Sequence, residues 1–216
     1  CFLNIGGISN ITITTSNEIT NKRFKAFDIG PGNCLIDQWV RKNSKKKYDK
    51  DGLIAKSGKV NQQVLNQALD NYSVESYESF PPRSLDIKDY DILFAKGLSL
   101  EDGAATLTHL TAELISEGLI KFMTKSYPNE TNIFNRSTIL ICGGGRKNKY
   151  LVEILKKQLH VNKIELIDEH GHDGDYIESQ AFAYLAIRSY LNLPITFPNT
   201  TGCKKPCTGG VIIKNF

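Results

Sequence analysis

The run Phe27-Asp28-Ile29-Gly30-Pro31-Gly32-Asn33 sets one carboxylate between an apolar stretch and a glycine-rich turn that opens a helix. Amides bunched at such a turn hold phosphate or another anion, because a helix N-terminus supplies unpaired N–H donors and the positive end of a dipole. A carboxylate beside an anion is repelled unless it has a chemical task. The task that suits it is taking the proton from an attacking oxygen. The same turn also serves as an ordinary strand-to-helix connection, so Asp28 needs company before it reads as a base.

Two further glycine turns supply that company. Gly6-Gly7 and Gly143-Gly144-Gly145 each follow an apolar run, and in α/β sheets ligands collect where strands end and helices begin. Bare backbone at Gly143–Gly145 lets an adenine or ribose face come close. The sequence ICGGGRKN (141–148) has neither the GxGxxG spacing of a dinucleotide fingerprint nor the Gly-Lys-Ser/Thr of a Walker loop. One acid to deprotonate an acceptor, with amides to hold a phosphate chain, is the division of labour that phosphoryl transfer to a sugar requires. Glu178 is a second candidate carboxylate. In the first turn of an otherwise apolar helix, an acid also serves the macrodipole.

Composition narrows the alternatives. The 216 residues are 40% hydrophobic, with a net charge of +4 and a mean hydropathy of −0.28, which describes a folded globular chain. No apolar run approaches the roughly 20 residues of a membrane helix, and no signal-peptide pattern is present, so no membrane partner is expected. Lys45-Lys46-Lys47 reads as a solvated loop; without a basic face laced with aromatics, no nucleic-acid partner is expected either. The five cysteines are odd in number and lack CxxC spacing, which fits a reducing cytoplasm. His170, His172 and Asp175 lie in a polar Gly/Asp loop without a matching set of ligands, so no protein metal site is expected.

The elements that must position these residues follow from periodicity. β-branched residues on both sides of Gly6-Gly7 predict a hairpin over 2–14. A turn near Ser16-Asn17 leads to a strand at 23–27, and Pro31 and Asn33 mark a helix start, with Leu35, Ile36, Trp39 and Val40 on one face. Residues 43–59 read as a loop, 60–71 as a short amphipathic helix, and Phe80 to Ser84 as an extended connection imposed by two prolines. The longest helical pattern covers 102–126. A strand at 138–142, a helix at 148–159, a strand at 163–167 and a helix from Tyr176 follow, with an edge strand at Val211–Ile213. A strand meander followed by βαβα predicts an α/β fold, a mixed sheet with flanking helices, without a domain linker. The chain begins at Cys1 inside a strand pattern, which predicts a piece of a longer polypeptide.

The ordered motifs LNIGGISNIT (3–12), AFDIGPGNCLIDQW (26–39), YDKDGLIAKSG (48–58), PPRS (81–84), AATLTHLTA (104–112), ICGGGRKNKYL (141–151) and ESQAFAYLA (178–186) resemble the anhydro-N-acetylmuramic acid kinases. The resemblance covers nearly the whole chain. It implies an actin/hexokinase/Hsp70-type fold of two lobes around a nucleotide cleft, with residues 1–216 as the second, ribonuclease H-like lobe. It implies Asp28 as catalytic base at the substrate. Gly6, Gly7 and Gly30 would lie on the phosphate side, Gly143, Gly144, Gly145 and Asn148 on the adenosine side, and Glu178 would contact the sugar. ATP with Mg²⁺ and a small anhydro-amino sugar are the implied ligands, and a homodimer the implied assembly. The implied reaction cleaves the 1,6-anhydro ring and gives N-acetylmuramic acid 6-phosphate, in peptidoglycan recycling. Two departures stand out. After Pro-Pro the family reads Lys-Ser-Thr-Gly-Arg-Glu where this chain has Arg83-Ser84-Leu85-Asp86-Ile87-Lys88, and the family's Gly-Thr-Ser-Met-Asp-Gly phosphate loop is missing. The isolated chain is therefore expected to be inactive or nearly so. The alternative reading is an inactive remnant that only binds a ligand or partner.

Overall fold

The structure, a computed structural model, describes residues 1–14, 24–72, 84–126, 137–159 and 163–213. Strands β1 (Phe2–Ile5) and β2 (Ile8–Thr14) form the predicted hairpin around Gly6-Gly7. Strand β3 (Phe24–Pro31) pairs antiparallel with β2, while β4 (Thr138–Cys142) and β5 (Lys163–Leu166) run parallel to β1, giving the order β3-β2-β1-β4-β5. The sheet is mixed, as expected. Alternation decides its faces: Leu3, Ile5, Ile11 and Ile13 are buried, while Asn4 and Asn10 point to the other side.

Helices α4 (Leu100–Ser126) and α5 (Lys149–Gln158) cover the apolar face, and Ile115, Leu119, Leu151 and Leu155 join the strand residues in one core. A second core lies among α1 (Cys34–Asn43), α3 (Gln62–Tyr72) and the first half of α4. Trp39 anchors it, and its indole N–H donates to the Leu100 carbonyl at 2.9 Å. A buried indole usually finds a partner for that N–H, which offsets the cost of taking the donor out of water.

Three sequence expectations change. The strand read as 23–27 starts, in the described chain, at Phe24 and runs to Pro31, because pairing with β2 continues through a bulge to Ile8 opposite Pro31. Inside the expected 43–59 loop stands α2 (Leu53–Ser57). Its first amides are held by the buried Asp49 carboxylate, which accepts from Ile54 N at 2.8 Å and Ala55 N at 2.9 Å. Five residues are too few to show a helical period. Val211–Ile213 forms no strand and is exposed. The turn at Ser16-Asn17 and the segment from Phe80 to Arg83 lie outside the described residues.

Helix α6 (Ile177–Tyr190) has no buried residue, and Phe182, Tyr184, Ile187 and Tyr190 are exposed. The single-turn α7 (Pro198–Thr201) lies beside β3. Among the described residues, no helix is long and apolar enough to cross a membrane.

Candidate active site

Because β1, β3 and β4 point the same way, the three glycine turns meet at one end of the sheet. A cavity of about 330 Å³ opens there. Asn4, Gly6, Gly7, Ile8 and Asn10 of the hairpin form one wall, Gly143 and Gly144 after β4 a second, and Gly174, Asp175, Ile177 and Glu178 leading into α6 a third. Gly6, Gly7, Gly143, Gly144 and Glu178, scattered over the sequence, are thus brought together.

The turns are joined to each other by backbone hydrogen bonds. Gly32 N and Cys34 N donate to the Gly7 carbonyl at 2.9 and 3.2 Å, and Asn33 N donates to the Gly6 carbonyl at 2.8 Å. The amides of Gly32, Asn33 and Cys34, at the entry to α1, are therefore engaged by the hairpin rather than left for an anion. A side chain at Gly32 would run into the Gly6 carbonyl, so this close approach requires glycine. Gly143 requires it for a second reason: its φ is +77°, and a Cβ would strike Asn4 Oδ1. Among the described residues, neither Gly7 N nor Gly144 N donates to a carbonyl, and both residues line the cavity.

Asp28 sits half-buried on β3, opposite Asn10. The register slips between Ser9 and Asn10, so Ile29 is the extra residue of a bulge; it is fully buried while Asp28 stays on the open face. Asp28 Oδ2 accepts from Leu85 N at 2.9 Å and from Ser84 Oγ at 3.3 Å. That loop is stiffened by a capping box in which Asp86 accepts from Lys88 N and Asp89 from Asp86 N. One carboxylate oxygen of Asp28 is thereby fixed from outside the sheet.

The third wall is held by Arg146, whose side chain is only 5% exposed. Its guanidinium donates to Asp168 through Nε at 2.7 Å and Nη2 at 3.1 Å, to Asp175 at 2.8 Å and to the Gly143 carbonyl at 3.1 Å. This fork ties the loop before α6 to the glycine turn after β4. The Asp168 bonds and, after them, those of Asp175 raise the Arg146 pKa, while Arg146 and Lys147 hold the Asp175 carboxyl down to about 2. Burial pushes the Cys142 thiol up, so it stays protonated and donates to Asn4 Oδ1 at 3.8 Å. His170 Nε2 pairs with Glu165 Oε2 at 3.0 Å. Among the described residues, no three His, Cys, Asp or Glu side chains gather as metal ligands.

A sequence profile of the anhydro-N-acetylmuramic acid kinase family matches residues 1–215. The chain belongs to this family. Anhydro-N-acetylmuramic acid kinases from Pelagibacter ubique, Zymomonas mobilis and Rhizobium johnstonii are 48%, 39% and 40% identical to it, over 100%, 97% and 98% of this chain. Those matches take in 55%, 53% and 53% of the relatives, so the chain spans about half the length of the curated relatives it matches. A solved structure of the activator of 2-hydroxyisocaproyl-CoA dehydratase from Clostridium difficile, with bound ADPNP, overlaps 76% of this chain and 52% of its own. Its identity is 13% and its TM-score 0.40.

Among the positions that the kinase resemblance implies, Gly145 and Asn148 stand back from the cavity. A Cβ at Gly145 would meet Ile5, so this glycine lets the loop pack on β1. The Asn148 side chain accepts from Leu151 N at 3.1 Å and caps α5. Gly30 lies in β3 against Leu114 of α4. Sequence reasoning missed Arg146, Asn4 and Asn10. Asn4 and Asn10 carry a signal all the same: they are amides on the alternate positions of otherwise apolar strands.

Proposed function

We propose that this chain supplies one lobe of an ATP-dependent kinase that opens the 1,6-anhydro ring of anhydro-N-acetylmuramic acid and phosphorylates it, in peptidoglycan recycling in the cytoplasm. The observation that carries the reading is the meeting of Gly6-Gly7, Gly143-Gly144, Glu178 and, one strand away, Asp28 at one end of the sheet, in a chain of this family. Asp28 takes a proton from water as the water oxygen bonds to the anomeric carbon. The C1–O6 bond breaks, O6 takes the γ-phosphoryl group, and ADP leaves. The amides of Gly7 and Gly144 face the phosphate chain, where fixed donors lower the cost of charge that builds in transfer. Glu178 suits the hydroxyl or amide donors of the sugar better than it suits a phosphate.

Among the described residues, no three His, Cys, Asp or Glu side chains gather to hold a divalent cation. Mg²⁺ is expected on the nucleotide phosphates, as is usual for kinases. The other half of the relatives' length supplies the rest of the nucleotide cleft, and the bare apolar side of α6 agrees with such an incomplete lobe. A homodimer of the completed enzyme is part of the same reading.

The test is a chimera in which this chain replaces the matching segment of the Pelagibacter ubique relative. Incubated with ATP and 1,6-anhydro-N-acetylmuramic acid, it should form ADP and N-acetylmuramic acid 6-phosphate, identified by mass spectrometry. A folded chimera that makes no phosphorylated sugar contradicts the proposal and favours the inactive remnant.

A further inference from the structure

Asp28 has one oxygen tied by Leu85 N and Ser84 Oγ, which leaves the other for a proton. A water held by that single contact still pivots, and a near-attack geometry needs a second hold. The register supplies one. Asn10 is the Cα partner of Asp28 and, on its other side, of Asn4. Neighbouring side chains on one face of a sheet lie within about 5 Å of each other at Cβ. Asn10 and Asn4 both line the cavity, and the bulge at Ile29 leaves Asp28 on their face. Among the described residues the Asn10 carboxamide has no hydrogen-bond partner, whereas Asn4 receives the Cys142 thiol.

Charge explains why an amide suits this place. A lysine beside Asp28 would pair with the base, and a carboxylate would repel both the base and the incoming phosphate. A carboxamide offers a donor and an acceptor without charge.

We infer that Asn10 contacts the substrate side of the reaction, its carboxamide holding the attacking water oxygen between itself and Asp28. The inference rests on the kinase reading above. Asn10 donates a hydrogen bond to the oxygen or accepts one from its second O–H, which stays on the oxygen, and Asp28 removes the other proton. Asn4, next in the row, is held by the Cys142 thiol and continues the polar floor toward Gly143.

The experiment uses the chimeric kinase with Asn10→Ala, Asn10→Asp and Asp28→Asn, measuring kcat, KM for each substrate and the pH–rate profile. Asn10→Ala should lower kcat about 10- to 100-fold, of the order seen for a lost positioning contact. Its KM for ATP should stay within about threefold, with an unchanged urea midpoint. Asn10→Asp should lower kcat further and move the acid limb up by about one pH unit, because a second carboxylate opposite Asp28 disfavours its ionised form. If Asn10→Ala fails to fold, Asn10→Ser replaces it. A kcat within twofold of the parent in Asn10→Ala, or an unmoved acid limb in Asn10→Asp, overturns the inference. Asp28→Asn separates the two claims: full turnover there removes the base and this inference with it, whereas lost turnover there with normal Asn10 variants removes the Asn10 contact alone.

Discussion

On one face of the sheet Leu3, Ile5, Ile11, Ile13, Ile139 and Ile141 lie almost wholly out of water beneath α4 and α5; on the other, one residue away, stand Asn4, Asn10 and Asp28. The period-two geometry of a strand lets the same few residues serve both. The apolar side supplies stability, and because it fixes register it also fixes which polar side chains become neighbours. The two sides meet at the glycine turns, where Gly145 rests on Ile5 and Gly143 on Asn4.

Changes on the apolar side should cost stability most. Ile5→Ala is expected to remove about 3 kcal/mol, from lost transfer energy and the cavity left behind. Urea unfolding checks it, and a loss below about 1 kcal/mol would mean that the site end of β1 is looser than its burial says. Gly32→Ala sits at the junction and is expected to cost about 2 kcal/mol, because the hairpin and the α1 turn must move apart.

Arg146→Met should lower the thermal midpoint by roughly 3–6 °C, the scale of one or two lost charge-assisted hydrogen bonds. It should also change the acid response. Asp168 and Asp175 have folded pKa values depressed by Arg146, Asp175 to about 2. Their contribution is complete above the ordinary carboxylate pKa of about 3.9 and is lost as pH falls through the folded value. The parent chain should thus lose midpoint between about pH 4 and pH 2 from this pair, and Arg146→Met should not show that part of the loss. The smallest effect is expected on the polar face, where Asn4→Ala should change unfolding by about 0.5 kcal/mol or less. A cost matching that of Ile5→Ala would erase the contrast between the faces.

Much of this was legible in the sequence. The β1–β2 hairpin, the helix after FDIGPGN and the long α4 follow from local periodicity and glycine placement. The hidden parts depend on distant partners. Asp49 caps α2 from outside its short span. The amides of Gly32, Asn33 and Cys34, at the entry to α1, are used by a hairpin some 25 positions earlier in the chain. Asp28 meets Asn10 only through a bulged register, and Leu85 only through a loop 57 residues on. Helix α6 is apolar in sequence, yet none of its residues is buried, and Phe182, Tyr184, Ile187 and Tyr190 are exposed.

Asp28 as general base is the central claim, and Asp28→Asn in the chimeric kinase tests it. The substitution keeps shape and removes the base, so the urea midpoint should stay where it is while kcat falls about 10²- to 10⁴-fold, the usual worth of a general base. Turnover within about threefold of the parent, at an unchanged midpoint, would contradict it.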